Sequence, residues 1–509
     1  MTSPDTTRPP AAPQISRPHV PLGALVAIAC IAQFMVVLDT SIVNVALPAM
    51  KVGLGLSTTG QQWVVDGYLI TFGGFLLLAA RASDLFGRTW VFQAGLVLFT
   101  LASLTGGLAP DGGLLLGARL VQGIGAAALA PSSLSLITAS HTDEHQRTRA
   151  LSLWAAAASS AGAVGMVLGG VLTQELGWRT VLFVNVPIGV GLLVAATLCL
   201  VPSSARQRGN RLDVPGAVAA TLGVGALVYG ISQATNDGWG SARVIVALAG
   251  AGTLAAIFLF VETRTTQPLV PLGIFRRRNL VAANTITACL GVAMTSTLFF
   301  LSLYEQQVLG DSALRTGLSL FPMTVVLVIG SLASRHLVRL LGPRPLVILG
   351  ATVGAGGLAW LATLPAHAAY ASHVLGPTLM TAAGMSLMIL PVTALGTAGL
   401  EPHFAGLASG LLNMGRQIGG AIGLAILVTI ASSAARHEAT PSLATATTHG
   451  YDVALAVCAG VMLVGAVIAL ILPGKARGAA PATEGRATPS SNVVTSASKD
   501  GTPATTGVA

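Results

Sequence analysis

Fourteen stretches of about twenty apolar residues, long enough to cross a lipid bilayer, run through this chain, starting near residues 22, 61, 90, 113, 147, 178, 212, 241, 279, 313, 343, 370, 405 and 451. Hydrocarbon offers no water to backbone N–H and C=O groups, so each stretch must satisfy them internally as a helix. Composition agrees: 53% of residues are hydrophobic, only 9% are charged and 60 of 509 are glycine. The expected fold class is an all-α polytopic membrane protein with 14 transmembrane helices.

The basic residues orient these spans. Twenty of the 27 Lys and Arg side chains fall on one face, five (Lys51, Arg179, Arg243, Arg315, Arg436) on the other, and Arg119 and Arg416 lie within apolar runs. Basic loops stay on the cytoplasmic side, which predicts a multi-pass protein with both termini cytoplasmic. The net charge of +9 thus reports topology and attraction to anionic lipid, not nucleic-acid binding. The tails, 1–21 and 474–509, read as disordered cytoplasmic segments. Cys30, Cys199, Cys289 and Cys458 stand singly in apolar runs without metal-ligand or disulfide spacing. Arginine far outnumbers lysine, which with abundant Ala and Gly suggests a GC-rich bacterial source.

Two basic-face loops look related. ARASDLFGRTWVFQAG carries Gly87 and Gly95, and ASRHLVRLLGPRPLVILG carries Gly342 and Gly350, the same spacing displaced by 255 residues. That offset maps the first run onto the ninth and the fifth onto the thirteenth. The chain is therefore read as a six-helix bundle (22–202), two linking helices with a basic connector (203–278) and a second six-helix bundle (279–473). Parallel six-helix repeats belong to transporters that hold substrate near mid-membrane between the halves.

Within the first run, LDTSIVNVALP places Asp39 where an ionised side chain costs roughly 2.5–3.5 kcal/mol. An apolar surround penalises the ionised form of a carboxyl group, so reversible protonation is one use for it; completing a structural hydrogen-bond network is the other. Arg119 and Gln122, three apart on the fourth helix, share one face. A guanidinium keeps its charge when buried and can hold a carboxylate or a water, so its distance from Asp39 would set the carboxyl group's affinity for a proton. A static clamp between helices is compatible with the same residues.

Together these segments resemble the fourteen-span drug:proton antiporters of the major facilitator superfamily, the EmrB/QacA group, over about residues 20–473. LDTSIVNVALP, ARASDLFGRT, RLVQGIGAAALAPSS, GMVLGG and WRTVLFVNVPIG carry the resemblance. It implies the major facilitator fold, two six-helix bundles plus two linking helices, and proton coupling through Asp39 and Arg119. It also implies a conformational latch at Asp84, Gly87 and Arg88, in a loop whose first motif glycine is here Ala80. Gly165, Gly169 and Gly170 match a helix-packing motif in which Met166 replaces the usual proline, leaving antiport less firmly indicated than coupling itself.

Candidates for the substrate cavity are Asn44, Gln122, Asp66, Glu305, Phe34, Tyr68 and Asn413, with Trp63, Phe72, Phe299, Phe300, Tyr304, Met385, Met388 and Met414 as further apolar or flexible contributors. Asp66 and Glu305 lie near span ends, where solvation at the rim is the simpler expectation. No Walker loop, His-Glu-x-x-His or Gly-x-Ser-x-Gly is present. The chain is expected to be no enzyme and to need no cofactor or metal. The expected function is proton-driven efflux of hydrophobic or amphipathic drugs by a monomer in a bacterial inner membrane, with antibiotic self-resistance as its context; a proton-coupled metabolite permease and a membrane sensor are the alternatives.

Overall fold

A computed structural model describes residues 22–140, 143–200, 212–265, 268–437, 442–470 and 472; the expectations for both tails and for 203–211 lie outside them. The described residues contain no strand and form fourteen helices apolar enough to span a bilayer. The first six are α1 (Leu22–Leu54), α2 (Thr58–Phe86), α3 (Arg88–Gly107), α4 (Gly112–Thr138), α5 (Glu144–Glu175) and α6 (Arg179–Cys199). Two more follow, α7 (Val214–Asp237) and α8 (Ala242–Arg264). The last six are α9 (Arg278–Val308), α10 (Ala313–Leu341), α11 (Pro343–Leu361), α12 (Tyr370–Thr397), α13 (Gly406–Arg436) and α14 (Leu443–Ala469).

Local chemistry sets the helix ends. Ser57, Ser241 and Ser312 accept from the backbone N–H three residues on, and Asp143 accepts from those of His145 and Gln146; each cap satisfies donors that have no carbonyl within the helix. The fourteenth helix starts at Leu443, eight residues before the expected 451. Its early threonines do not interrupt it, because Thr447 and Thr448 return their hydroxyls to the carbonyls of Leu443 and Ala444. Gly87 and Gly342, the glycines of the two related loops, adopt φ of 97° and 85°, a region in which a side chain would be strained.

The packing repeats as the loops do. α1 lies on α5, α2 on α4 and α3 on α4; in the same relation α9 lies on α13, α10 on α12 and α11 on α12. The two six-helix bundles meet through α2 against α13 and α5 against α10, again a pair related by the repeat. Glycines permit the close approaches. A Cβ on Gly169 would meet the Ile42 carbonyl of α1 at 2.9 Å, and one on Gly170 would meet the Ala313 carbonyl of α10 at 2.7 Å. The motif expected to pack helices thus serves two seams, and α5 runs unbroken past Met166.

Polar bridges between the bundles gather at the basic-poor end. Ser302 donates to the Asn44 carbonyl at 2.8 Å, Gln306 Nε2 to the Val45 carbonyl at 3.0 Å and the Leu314 N–H to Gln174 Oε1 at 3.3 Å. At the basic-rich end Asp84 is exposed. The linking helix α7 sits beside α2 and α13: Thr429 donates to the Ile231 carbonyl and Arg436 to that of Thr235. α8 packs on α7.

Candidate functional site

Asp39 lies on α1, fully buried, and its carboxylate is held from three sides. Arg119 Nη1 on α4 donates to Oδ2 at 2.6 Å, while Gln122 Nε2 and Asn185 Nδ2 donate to Oδ1 at 2.8 and 2.9 Å. The second layer is equally connected. Arg119 Nε donates to the Val64 carbonyl at 3.1 Å, Nη1 also reaches Gln122 Oε1, and the guanidinium carbon stands 4.4 Å from the centre of the Tyr68 ring. Ser103 on α3 accepts from Gln122 and Asn185 and donates to the Leu182 carbonyl. Arg119 is 2% exposed and Gln122 1%, so the ion pair is shielded from water and its attraction is weakly screened.

Asn185 reaches this cage because α6 breaks at Val184 between two helical pieces, Arg179–Phe183 and Asn185–Cys199. Pro187 lacks the N–H that a continuous helix would donate to the Phe183 carbonyl, and at the break the Leu182 carbonyl accepts the Ser103 hydroxyl. Neither Asn185 nor Ser103 was among the sequence candidates. Asn185 had a signal, an amide followed by Val-Pro inside an apolar run; Ser103 had none, since a serine can return its hydroxyl to its own helix.

The remaining candidates divide. Tyr68 and Gln122 belong to the cage. Asn44 Nδ2 donates to the Thr40 carbonyl, and its own carbonyl accepts Ser302 at the seam between α1 and α9. Asp66 and Glu305 are not solvated at the rim: they are 0% and 1% exposed. Asp66 accepts from Gln62 Nε2 at 2.6 Å, which also reaches Ser232 of α7, so the acid faces the linking helix. Glu305 lies in a π-helical turn, Tyr304–Val308, and accepts the Ser319 hydroxyl of α10. Phe299, Phe300, Tyr304, Met385 and Met388 are fully buried packing residues. Phe34 on α1 and Asn413 on α13 are half-buried.

Trp63 lines a groove of about 790 Å³ between α2, α4, α7 and α8, with Thr221, Tyr229 and Val246. Asp84 is exposed, Gly87 caps the start of α3 and Arg88 is half-buried. No group of three His, Cys, Asp or Glu side chains among the described residues is arranged to hold a metal ion.

The sequence profile of the Major Facilitator Superfamily matches residues 29–424. The chain is 42% identical to the cephamycin export protein CmcT of Amycolatopsis lactamdurans, over 89% of this chain and 93% of that one. It is 37% identical to the puromycin resistance protein pur8 of Streptomyces alboniger, over 87% and 89%. Among solved structures, the nucleoside transporter NupG superposes with a TM-score of 0.61 over 88% of this chain and 99% of that one, at 11% identity, a likeness of fold.

Proposed function

The chain belongs to the major facilitator superfamily, and from that premise we propose that it exports antibiotic-like small molecules across a bacterial cell membrane in exchange for protons. Relatives named for cephamycin export and puromycin resistance support the export. The single observation supporting the coupling is the cage around Asp39, a carboxylate enclosed within a membrane span and held by groups from α4 and α6.

In this reading the basic-rich face is cytoplasmic and the membrane is the inner one. The bridges at the opposite end then close the outside, while exposed Asp84 belongs to a latch that is open. Drug enters from the cytoplasm between the bundles, past Phe34 and Asn413. When the bundles rock to open outward, movement between α1, α4 and α6 loosens the cage, and Asp39 takes a proton from outside. A neutral Asp39 no longer forms an ion pair with Arg119, so drug leaves, and the carrier returns and releases the proton inside. The linking helices ride with α2 and α13, and one chain suffices.

A membrane potential of 100 mV supplies roughly 2.3 kcal/mol per proton moved inward and one pH unit about 1.4 kcal/mol more. One proton per neutral drug therefore supports roughly 500-fold accumulation. Antibiotic self-resistance is the physiological setting this reading favours. A susceptibility panel in a strain stripped of its own exporters provides the test. Expression is expected to raise the inhibitory concentration of some amphipathic antibiotics several-fold; equal inhibition across the panel with and without the protein would overturn export.

A further inference from the structure

Arg416, like Arg119, lies well inside an apolar run, ten residues into α13 and so about 15 Å along the helix axis from its start. The structure gives it one partner among the described residues, Asn413 Oδ1, to which Nη2 donates at 2.7 Å. Among the described residues no carboxylate lies within ion-pair distance. The acids buried in the spans are engaged elsewhere: Asp39 with Arg119, Asp66 with Gln62, Glu305 with Ser319 and Glu262 with the Val270 N–H. A guanidinium has five N–H donors, so four remain for another acceptor. The side chain is half-buried and none of its nitrogens is sealed away without a partner.

Asn413 sharpens the chemistry. Because its oxygen accepts from Arg416, its amide nitrogen is left as a further donor, and the pair offers several N–H groups to one acceptor. Both residues lie on the stripe of α13 that continues through exposed Ser409 and Gly406 toward the basic-rich end. Facing α9 comes close: a Cβ on Gly419 would meet Ala288 at 2.7 Å, so the backbone beside Arg416 is fixed while its side chain is not neutralised.

An uncompensated cation at membrane depth is costly and marks a ligand or ion path, and a guanidinium's planar fork matches a carboxylate in two-point contact. We propose that Arg416 and Asn413 form the subsite for a carboxylate group on the exported molecule, so that organic anions are the preferred cargo. The proposal rests on the export reading above and assigns the charge of its substrate.

The test uses the full chain in proteoliposomes in chloride-free buffer with an imposed pH gradient, and cefoxitin and other carboxylate-bearing antibiotics as probes, each beside its methyl ester and an amine analogue. Wild-type protein is expected to export carboxylates with at least ten-fold higher kcat/KM than the esters, and the amines least. Arg416→Gln should remove that preference and leave ester transport within about two-fold, which also shows that the variant is folded; Arg416→Lys should restore part of it. Equal loss of acids and esters in Arg416→Gln, or wild-type transport of esters and amines alone, would overturn the anion subsite while leaving export intact. Wild-type transport of no probe in any series would overturn both.

Discussion

Two arginines cross the same hydrocarbon in opposite electrical circumstances. Arg119 on α4 is matched by Asp39 at 2.6 Å and wrapped by Gln122, the Val64 carbonyl and the Tyr68 ring. Arg416 on α13 has only the amide of Asn413 as a partner among the described residues. Each sits three residues from an amide side chain on its own helix, Gln122 and Asn413, so the local arrangement is alike. The difference is the carboxylate. The first bundle holds a closed circuit of charge that changes only if a proton enters; the second holds an open one that an incoming group can complete.

The comparison predicts a graded series of stability effects. Arg119→Gln strands the Asp39 carboxylate in a water-free site, and breaking a buried pair in this way costs about 3–5 kcal/mol; thermal unfolding of the purified protein in detergent should show it as the largest fall in Tm. Asn185→Ala removes one donor to the same carboxylate, a hydrogen bond to a charged group contributing about 1.5–3 kcal/mol, and should rank second in that assay. Gln306→Ala, at the seam, deletes a neutral hydrogen bond of about 0.5–1.5 kcal/mol. Its readout is conformational: a cysteine pair across the basic-poor end should crosslink less readily than in the wild-type background. Arg416→Gln leaves no buried acid unpaired and keeps an amide donor for Asn413, so its stability change should be the smallest of the series. A Tm drop at Arg416 equal to that at Arg119 would erase the distinction between the two sites.

Much of this fold was legible because lipid makes apolar length and helix the same signal, and the Gly87 and Gly342 loops disclosed the repeat. Asp39, Arg119 and Gln122 were readable as a group since polar side chains are scarce in such runs. Asn185 was harder to see, because it enters only through the break that Pro187 favours. Asp66 and Glu305 misled in another way: proximity to a span end suggested solvation, but α7 covers one and the π-turn buries the other against α10. The state of Arg416 was illegible, since a missing ion pair depends on where every acid has gone.

The coupling assignment is tested most directly by Asp39→Asn in proteoliposomes, with drug accumulation followed after imposing a pH gradient and, separately, exchange of labelled for unlabelled drug with no gradient. The amide preserves the shape of the side chain but cannot take up and release the proton. The account predicts that exchange persists while gradient-driven accumulation falls to the level of protein-free vesicles. Accumulation retained at the wild-type level in Asp39→Asn would contradict it.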